Sequence, residues 1–292
     1  MSNFRVISSG LNLRSAAVVD PANIKAVLPE GQIVTRIGSE PDGAKWWKVR
    51  TIVGGNTVEG FVSKSFLSPI STKFNLPNPD NTTLGTKLNL WSTFYLVPEV
   101  NEIPNGFELL DTNDNGLGVK LSARDWCNAA LEGTVAVTKS NGETKTFNFA
   151  DTGDFQVNCR PFFPSLLTIE RTNQSRFKLS RGKFGEGVDG FNLVPYRSIA
   201  VDRTELSIGT VIFIPAAKGV TIILPSGGTA VHDGYFFAAD VGGAIKDNHI
   251  DVFIGTAKTN PFSFVKSTPS GTFDAFIVNN TTIITELKKA HN

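Results

Sequence analysis

The sequence predicts a mainly β protein, on three observations. Short segments that alternate apolar and polar residues recur along most of the chain. Glycine (27 residues) and proline (15 residues) punctuate them at close intervals, as turns require. The apolar set is aromatic, with 22 Phe against one Met, which suits strands better than helices. At 292 residues the chain exceeds one ordinary domain, so two units, or one with an appendage, are expected.

The charge balance excludes some partners. Lys and Arg number 28 against 27 Asp and Glu, a formal charge of +1. General binding to nucleic acid or to an anionic membrane needs clustered positive charge, so neither is expected. No apolar run approaches the ~20 residues of a membrane span. Met1-Ser-Asn-Phe-Arg lacks the basic and apolar regions of a signal peptide, and no lipoprotein cysteine stands near it. Cys127 and Cys159 are too few for a disulfide scaffold. Either they pair, closing a loop of roughly 30 residues and adding about 3 kcal/mol, or they are two separate buried thiols.

Residues 1–70 read as five strands in about 65 residues with Gly turns, which implies a small barrel. Phe4-Arg-Val-Ile and Leu11-Asn-Leu-Arg-Ser alternate. Val27-Leu-Pro-Glu-Gly ends in a turn, and Gln32-Ile-Val-Thr-Arg-Ile is apolar at every second position. After the turn Glu40-Pro-Asp-Gly come Trp46-Trp-Lys-Val-Arg, the hairpin signal Gly54-Gly-Asn, Glu59-Gly-Phe-Val and Ser65-Phe-Leu. The order of Leu11-Asn-Leu-Arg-Ser, Gly31-Gln-Ile-Val, Trp47-Lys-Val and Gly60-Phe-Val with Phe66-Leu resembles the bacterial SH3-like domain. Such domains tether wall-active enzymes to peptidoglycan, so the resemblance implies a targeting module that binds wall peptide.

Ser68-Pro-Ile-Ser through Pro77-Asn-Pro-Asp-Asn-Thr is polar and Pro-rich, and residues 71–87 read as a linker. From Leu88-Asn-Leu-Trp-Ser-Thr-Phe-Tyr the strand character resumes, opening a unit that runs over 88–292. Its one mid-chain helix is Ser122-Ala-Arg-Asp-Trp-Cys-Asn-Ala-Ala-Leu-Glu, with Ser122 as N-cap and Trp126, Ala129 and Ala130 on one face. Thr134-Val-Ala-Val-Thr and Thr144-Lys-Thr-Phe-Asn-Phe form a hairpin about Asn141-Gly. Residues 151–195 read as irregular, with glycines marking loops.

The informative stretch is 197–255. Asp202, Asp240 and Asp251 each begin or end an apolar strand, and the last two bracket the tight turn Gly242-Gly243. Burying a carboxylate among apolar residues raises its pKa, which keeps an acid protonated near neutral pH. The plainer alternative for each aspartate is a turn or strand-end cap.

Arg197-Ser-Ile-Ala-Val-Asp, Leu206-Ser-Ile-Gly-Thr-Val-Ile-Phe-Ile-Pro and Ala239-Asp-Val-Gly-Gly-Ala-Ile-Lys-Asp-Asn-His-Ile-Asp-Val-Phe-Ile-Gly closely resemble the 3D domain. That domain, named for three aspartates, occurs in the membrane-bound lytic murein transglycosylase A family. The departures are Leu206-Ser-Ile for Ile-Pro-Leu and Asp247 where the family usually has Gly.

The resemblance implies a six-stranded double-psi β-barrel, with an inserted β-rich subdomain at about 111–190 forming one wall of a groove. It implies a peptidoglycan lytic transglycosylase acting in the periplasm or cell wall, without cofactor or metal, on glycan strands. Asp251 then serves as the acid and base that yields 1,6-anhydro-MurNAc ends, Asp240 stabilises charge, and Asp202 supports. Trp91-Ser-Thr-Phe-Tyr resembles the family's first barrel strand, which makes Thr93 and Tyr95 candidate substrate contacts, unless this is an ordinary alternating strand. Tyr196 and Arg197 are candidates to clamp a sugar or stem-peptide carboxylate, and Lys246 to pair with Asp240 or Asp251.

Other chemistries find less support. Asp125-Trp-Cys127 lacks the Ser and Gly of wall cysteine peptidases, and His232, His249 and His291 offer no zinc spacing. His249 shares a strand face with Asp251 if the strand is regular, although a surface-loop position is the expectation. The competing functions are a glycoside hydrolase on the same barrel and a non-catalytic wall-binding or wall-loosening protein. The role is open between a housekeeping enzyme, a phage lysin and an exported effector, the last bringing a secretion apparatus and an immunity protein as partners.

Overall fold

The computed structural model describes residues 3–30, 32–38, 45–69, 74–80, 82–225 and 227–292. Gly31, the turn 40–43 and part of the Pro-rich stretch (70–73 and 81) lie outside the described residues. The chain forms two compact units, one of residues 1–75 with 221–231 and the other of 76–220 with 232–292.

Among the described residues the first unit has seven strands in one sheet: β1 (Asn3–Val6), β2 (Leu11–Arg14), β3 (Ile24–Leu28), β4 (Ile33–Arg36), β5 (Trp46–Val53), β6 (Asn56–Ser63) and β7 (Leu67–Pro69). They form one antiparallel sheet in the order β3-β2-β6-β5-β4-β1-β7. Every strand sends a residue to one core, among them Val6, Leu13, Leu28, Val34, Val49, Val62 and Leu67. A single core shared by all seven strands makes the sheet curl on itself, the SH3-like small barrel. Two of its strands, β3 and β7, were not separate elements in the sequence reading. The β5–β6 hairpin turns at Gly54 and Gly55, with φ of 56° and 82°. Both lie in the left-handed region that a two-residue hairpin turn demands and glycine adopts without strain.

The second unit begins with β8 (Leu84–Tyr95). The inserted part follows: β9 (Glu99–Asn101), β10 (Phe107–Leu110), β11 (Gly116–Leu121), α1 (Ala123–Glu132), β12 (Thr134–Thr138), β13 (Thr144–Thr152) and β14 (Ser175–Leu179). The remaining strands are β15 (Ser198–Val201), β16 (Val211–Phe213), β17 (Thr221–Ile223), β18 (Thr229–Val231), β19 (Tyr235–Asp240), β20 (His249–Phe253) and β21 (Phe273–Val278), and α2 (Thr281–His291) ends the chain. The strands β17 and β18 form a hairpin that counts with the first unit.

Six strands close a barrel in the order β15-β19-β16-β21-β8-β20. Two neighbouring pairs, β15 with β19 and β20 with β8, are parallel, and the other pairs are antiparallel. Parallel neighbours that are not consecutive in the chain require crossing connections, and this is the double-psi arrangement. The insert carries its own sheet, β14-β13-β12-β9, and its own core of Leu109, Val119, Trp126, Val135, Phe147 and Phe177.

The helix α1 starts where Ser122 Oγ accepts from Asp125 N–H and ends at Gly133 with φ 71°. Its buried face is Trp126, Cys127, Ala129 and Ala130. Cys127 is bridged to Cys159, with Cα atoms 5.4 Å apart, inside the insert's core. Residues 151–195 are less irregular than expected, because Ser175–Leu179 adds an edge strand to β13.

The helix α2 is not among the elements expected from the sequence, although its signals are ordinary. The Asn280 side chain accepts from Thr282 and Ile283 N–H, and Lys288 and Lys289 occupy the last turn, where cations meet the helix dipole favourably. Ile283 and Leu287 enter one core with Tyr235, Phe237 and Ala239, so α2 covers that face of β19. Of the Pro-rich stretch, Leu76 N–H donates to Asp233 Oδ2 and Pro77 O accepts from Tyr235 Oη, which ties both to the second unit.

The bridge closes a loop over a separation of 32 residues. By loop-closure entropy, Cys127→Ala/Cys159→Ala is expected to lose about 3–4 kcal/mol of stability. Calorimetry should show a Tm several degrees lower with unchanged far-UV circular dichroism; an unchanged Tm would mean that the core alone holds the insert.

Candidate active site

The register of three strand pairs builds the site. Ala200 of β15 is paired with Asp240 of the parallel neighbour β19 and with Asp251 of the antiparallel neighbour β20. Asp251 is in turn opposite Thr93 of β8. Asp240, Ala200, Asp251 and Thr93 therefore form one row across four strands. With neighbouring strands roughly 4.8 Å apart, the two aspartate Cα atoms stand about 10 Å apart. The small Ala200 side chain between them leaves the space open.

Each carboxylate has its own donor from β8. Thr93 Oγ1 lies 2.8 Å from Asp251 Oδ1, and Tyr95 Oη donates to Asp240 Oδ2 at 3.0 Å. Trp91, Thr93 and Tyr95 share a face of β8 because side chains alternate along a strand. Val241 N–H also donates to Asp240 Oδ1. Both aspartates line a cavity of about 790 Å³, with Tyr95, Glu132, Arg171 and Ala200 also on its wall.

Burial sets their ionisation. Asp251 is pushed up to about 7, by burial first and then by the Glu132 and Asp240 charges, against the Thr93 hydrogen bond. Burial raises Asp240 to about 6, with the Val241 amide and the Tyr95 hydroxyl opposing. Tyr95 is held well above its usual value by burial and by the Asp240 and Asp251 charges. Burial thus raises both carboxyls toward neutral pH, where a carboxylic acid can hold a proton.

Four residues do not join the pair. Asp202 sits in a turn, where its Oδ1 accepts from Thr204 N and Oγ1 and its Oδ2 from Asp247 N. The Thr204 contacts hold its carboxyl below the usual range, and Lys246 adds a lesser pull. Lys246 is exposed, and among the described residues no ion pair joins it to Asp240 or Asp251.

Tyr196 and Arg197, expected as substrate clamps, are each 1% exposed and line no wall of this cavity. The Arg197 guanidinium is taken by Asp233, at 2.5 Å and 2.7 Å, and by the Tyr235 carbonyl at 2.7 Å. Tyr196 spends its N–H on the Phe253 carbonyl. Two adjacent polar residues just before a fully buried strand are used by the barrel itself. Asp247 stands at φ 55°, a left-handed position that glycine adopts without strain.

Three contributors were missed or misplaced. Glu132 closes α1 beside the cavity; burial raises its pKa, with the Leu96 N–H opposing. A carboxylate at a helix C-terminus opposes the dipole, and that misfit was the available sequence signal. Arg171, from the short 3₁₀ helix Ile169–Gln174, is a cation on the cavity wall. His249 is on no surface loop: it is 6% exposed, opens β20, and stacks on Trp91 with ring centroids 3.5 Å apart and planes at 8°.

The roles separate by stability. Arg197→Ala leaves Asp233 buried and unpaired, so a loss of about 3–5 kcal/mol is expected. Asp251→Asn should act the other way. An acid with a raised folded pKa adds stability that is present at low pH and lost as pH rises through about 7. Above pH 7 the Asn variant should therefore melt at or above the wild-type temperature, and the gap should close toward pH 4. A variant less stable than wild type at pH 8 would show that the carboxylate itself holds the barrel.

Comparison with known proteins places these segments. Residues 197–261 match the 3D domain, and residues 9–68 match the bacterial SH3 domain. No match is found among curated protein sequences. Among solved structures, the chain is similar to Escherichia coli MltA with bound chitohexaose, at 15% identity and a TM-score of 0.44, over 65% of this chain and 71% of that one. A membrane-bound lytic murein transglycosylase from Agrobacterium tumefaciens matches at 13% identity and 0.39, over 68% and 76%. The lytic transglycosylase LtgG of Burkholderia pseudomallei matches at 15% identity and 0.34, over 80% and 75%. Identities and TM-scores are low, so the barrel's own strand order carries the fold assignment. The chain carries a bacterial SH3 domain followed by a 3D domain, and the 3D segment supplies β15, β16, β19 and β20 of the double-psi barrel.

Proposed function

We propose that this protein is a peptidoglycan lytic transglycosylase with Asp251 as its catalytic acid and base. The observation that carries the reading is the Asp240–Ala200–Asp251–Thr93 row beside a cavity, inside the segment that matches the 3D domain. With a pKa near 7, Asp251 keeps a proton to donate at neutral pH, while Asp240, near 6, carries more of the charge.

The acid proton goes to the glycosidic oxygen between MurNAc and GlcNAc, and the C1–oxygen bond breaks. The Asp240 carboxylate, held by Tyr95 and the Val241 amide, stabilises the oxocarbenium-like charge on the sugar. The muramic C6 hydroxyl then bonds to C1 and returns its proton to Asp251, closing the 1,6-anhydro ring without water. One residue does both proton transfers, unlike the two-carboxylate glycosidases that consume water. Arg171, on the cavity wall where Arg197 is not, is the cation facing a stem-peptide or lactyl carboxylate. The SH3 domain holds the enzyme to wall peptide.

Mass analysis of digested sacculi tests the reaction. Anhydro-muropeptides are expected; reducing ends would mean hydrolysis, and no soluble product a binding protein. Asp251→Asn should lower turnover by roughly 10⁴-fold, since acid–base assistance of ~10²–10⁴ is lost in both steps. Asp240→Asn should cost less. In the wild type, activity should fall as pH rises through about 7, where Asp251 loses its proton. Glu132→Gln removes a charge that raises the Asp251 pKa, so that fall should move to lower pH; an unmoved profile would separate Glu132 from Asp251.

For the targeting role, residues 1–75 fused to a fluorescent protein should co-sediment with sacculi. Equal recovery of the fluorescent protein alone would remove wall binding from this domain.

A further inference from the structure

We infer that Phe94 and Phe149 are substrate-binding residues: their exposed rings are the platforms on which sugar faces of the glycan strand stack beside Asp251. The inference takes its ligand from the transglycosylase reading of the site and adds two residues to it.

Exposed apolar surface leads there. Large apolar side chains left singly on a surface need no explanation, but a cluster of them marks a contact site. Phe94, Leu131, Phe149 and Val241 are all exposed, and all stand on the wall of the cavity that holds Asp240 and Asp251. Phe94 is 38% exposed and Phe149 43%. Burying a phenylalanine is among the larger gains open to a fold, and two rings at this one cavity forgo much of it.

Their places in the strands make the exposure specific. Alternation along β8 puts Phe94 on the face of Leu90 and Ser92, both buried, yet its ring at the strand's end is open to the cavity. In β13, alternation puts Phe149 on the face of Phe147, which enters the insert's core. Phe149 does not follow it there. The register of β13 with β14 shifts between Phe149 and Asp151, an irregularity of the kind that re-aims side chains beside functional sites. The Phe149 N–H donates to the Gly133 carbonyl at the end of α1, which fixes the backbone at this point.

The ligand chemistry fits rings in this setting. A β-linked pyranose has a face made of axial C–H bonds, apolar and with slightly positive hydrogens. The face of a phenyl ring carries the negative part of its quadrupole, so the two attract when stacked. Polar groups of the same wall, Glu132 and Arg171 among them, meet the groups at the edge of the sugar. Phe94 belongs to the barrel and Phe149 to the insert, so a strand that rests on both is positioned over Asp251 by two sheets.

Variants read the loss. Phe94→Ala and Phe149→Ala should each raise KM for soluble glycan strands about 10-fold, the scale of one aromatic contact with its buried area. Binding common to the ground and transition states is what they remove, so kcat should stay within about two-fold. Both rings are exposed, so the melting temperatures should stay near wild type. Phe149→Leu, apolar but without a ring, should recover little, and Phe149→Tyr most. A wild-type KM in either Ala variant, or in Phe149→Leu, overturns the proposal.

Contact is read directly in Asp251→Asn, with an N-acetylglucosamine hexamer as the probe. Nuclear Overhauser contacts from both phenyl rings to the axial C–H protons of a sugar are expected, with those protons shifted upfield by the ring currents. A bound hexamer that lacks contact with either ring overturns the inference, and so does a free stem tetrapeptide that occupies the rings in its place. If the wild type forms no anhydro product, the transglycosylase reading fails, and the contacts with the hexamer still decide the platforms. If product forms and both Ala variants keep the wild-type KM, that reading stands and the inference fails.

Discussion

The register of β15 between two neighbours of opposite direction is the constraint from which the site follows. β19 runs parallel to β15 and β20 antiparallel, yet both present an aspartate opposite Ala200. The parallel pair carries a register shift between Ile199 and Ala200, and this irregularity brings Asp240 opposite Ala200. Bulges of this kind re-aim side chains next to functional sites. The row then extends to Thr93 through the parallel pairing of β20 with β8. A slip of one residue in any of these ladders would turn an aspartate to the other face of its strand.

Within that row, burial and donors oppose one another. Burial pushes both carboxyls up, and the barrel supplies only a few donors to pull them back. Glu132 adds negative charge from outside the barrel, brought there by α1 of the insert. The insert therefore does more than wall the cavity: it takes part in setting the acidity of a residue on another sheet. The disulfide lies in the same core that seats α1. Bridge, helix and Glu132 are thus one mechanical unit.

The buried Arg197–Asp233 pair has a complementary task. Arg197 immediately precedes β15 and Asp233 lies just before β19, so the pair links the entries of the two parallel strands. The neighbouring His232, held near pKa 3 by burial with the Arg197 charge adding to it, stays neutral and bonds to the Tyr196 carbonyl. Breaking one partner leaves a charge without water or counter-ion. That is why these polar residues serve the barrel and leave substrate contact to others.

Much was determined by the sequence alone. Period-two patterning and Gly turns specified strands in both units, though not β3, β7 or β14, because side-chain alternation is a local property. Ser122 marked the start of α1, and the resemblance to the 3D domain, more than spacing, singled out Asp240 and Asp251 as candidates. The tertiary structure decided the rest, because it depends on pairings between residues far apart in the chain. Arg197 could be assigned only once Asp233 was seen beside it, 36 residues on. Thr93 and Asp251, 158 residues apart, meet only when the barrel closes. Burial, which raises the pKa of both aspartates, is likewise a property of the closed barrel and its insert, and no stretch of sequence carries it.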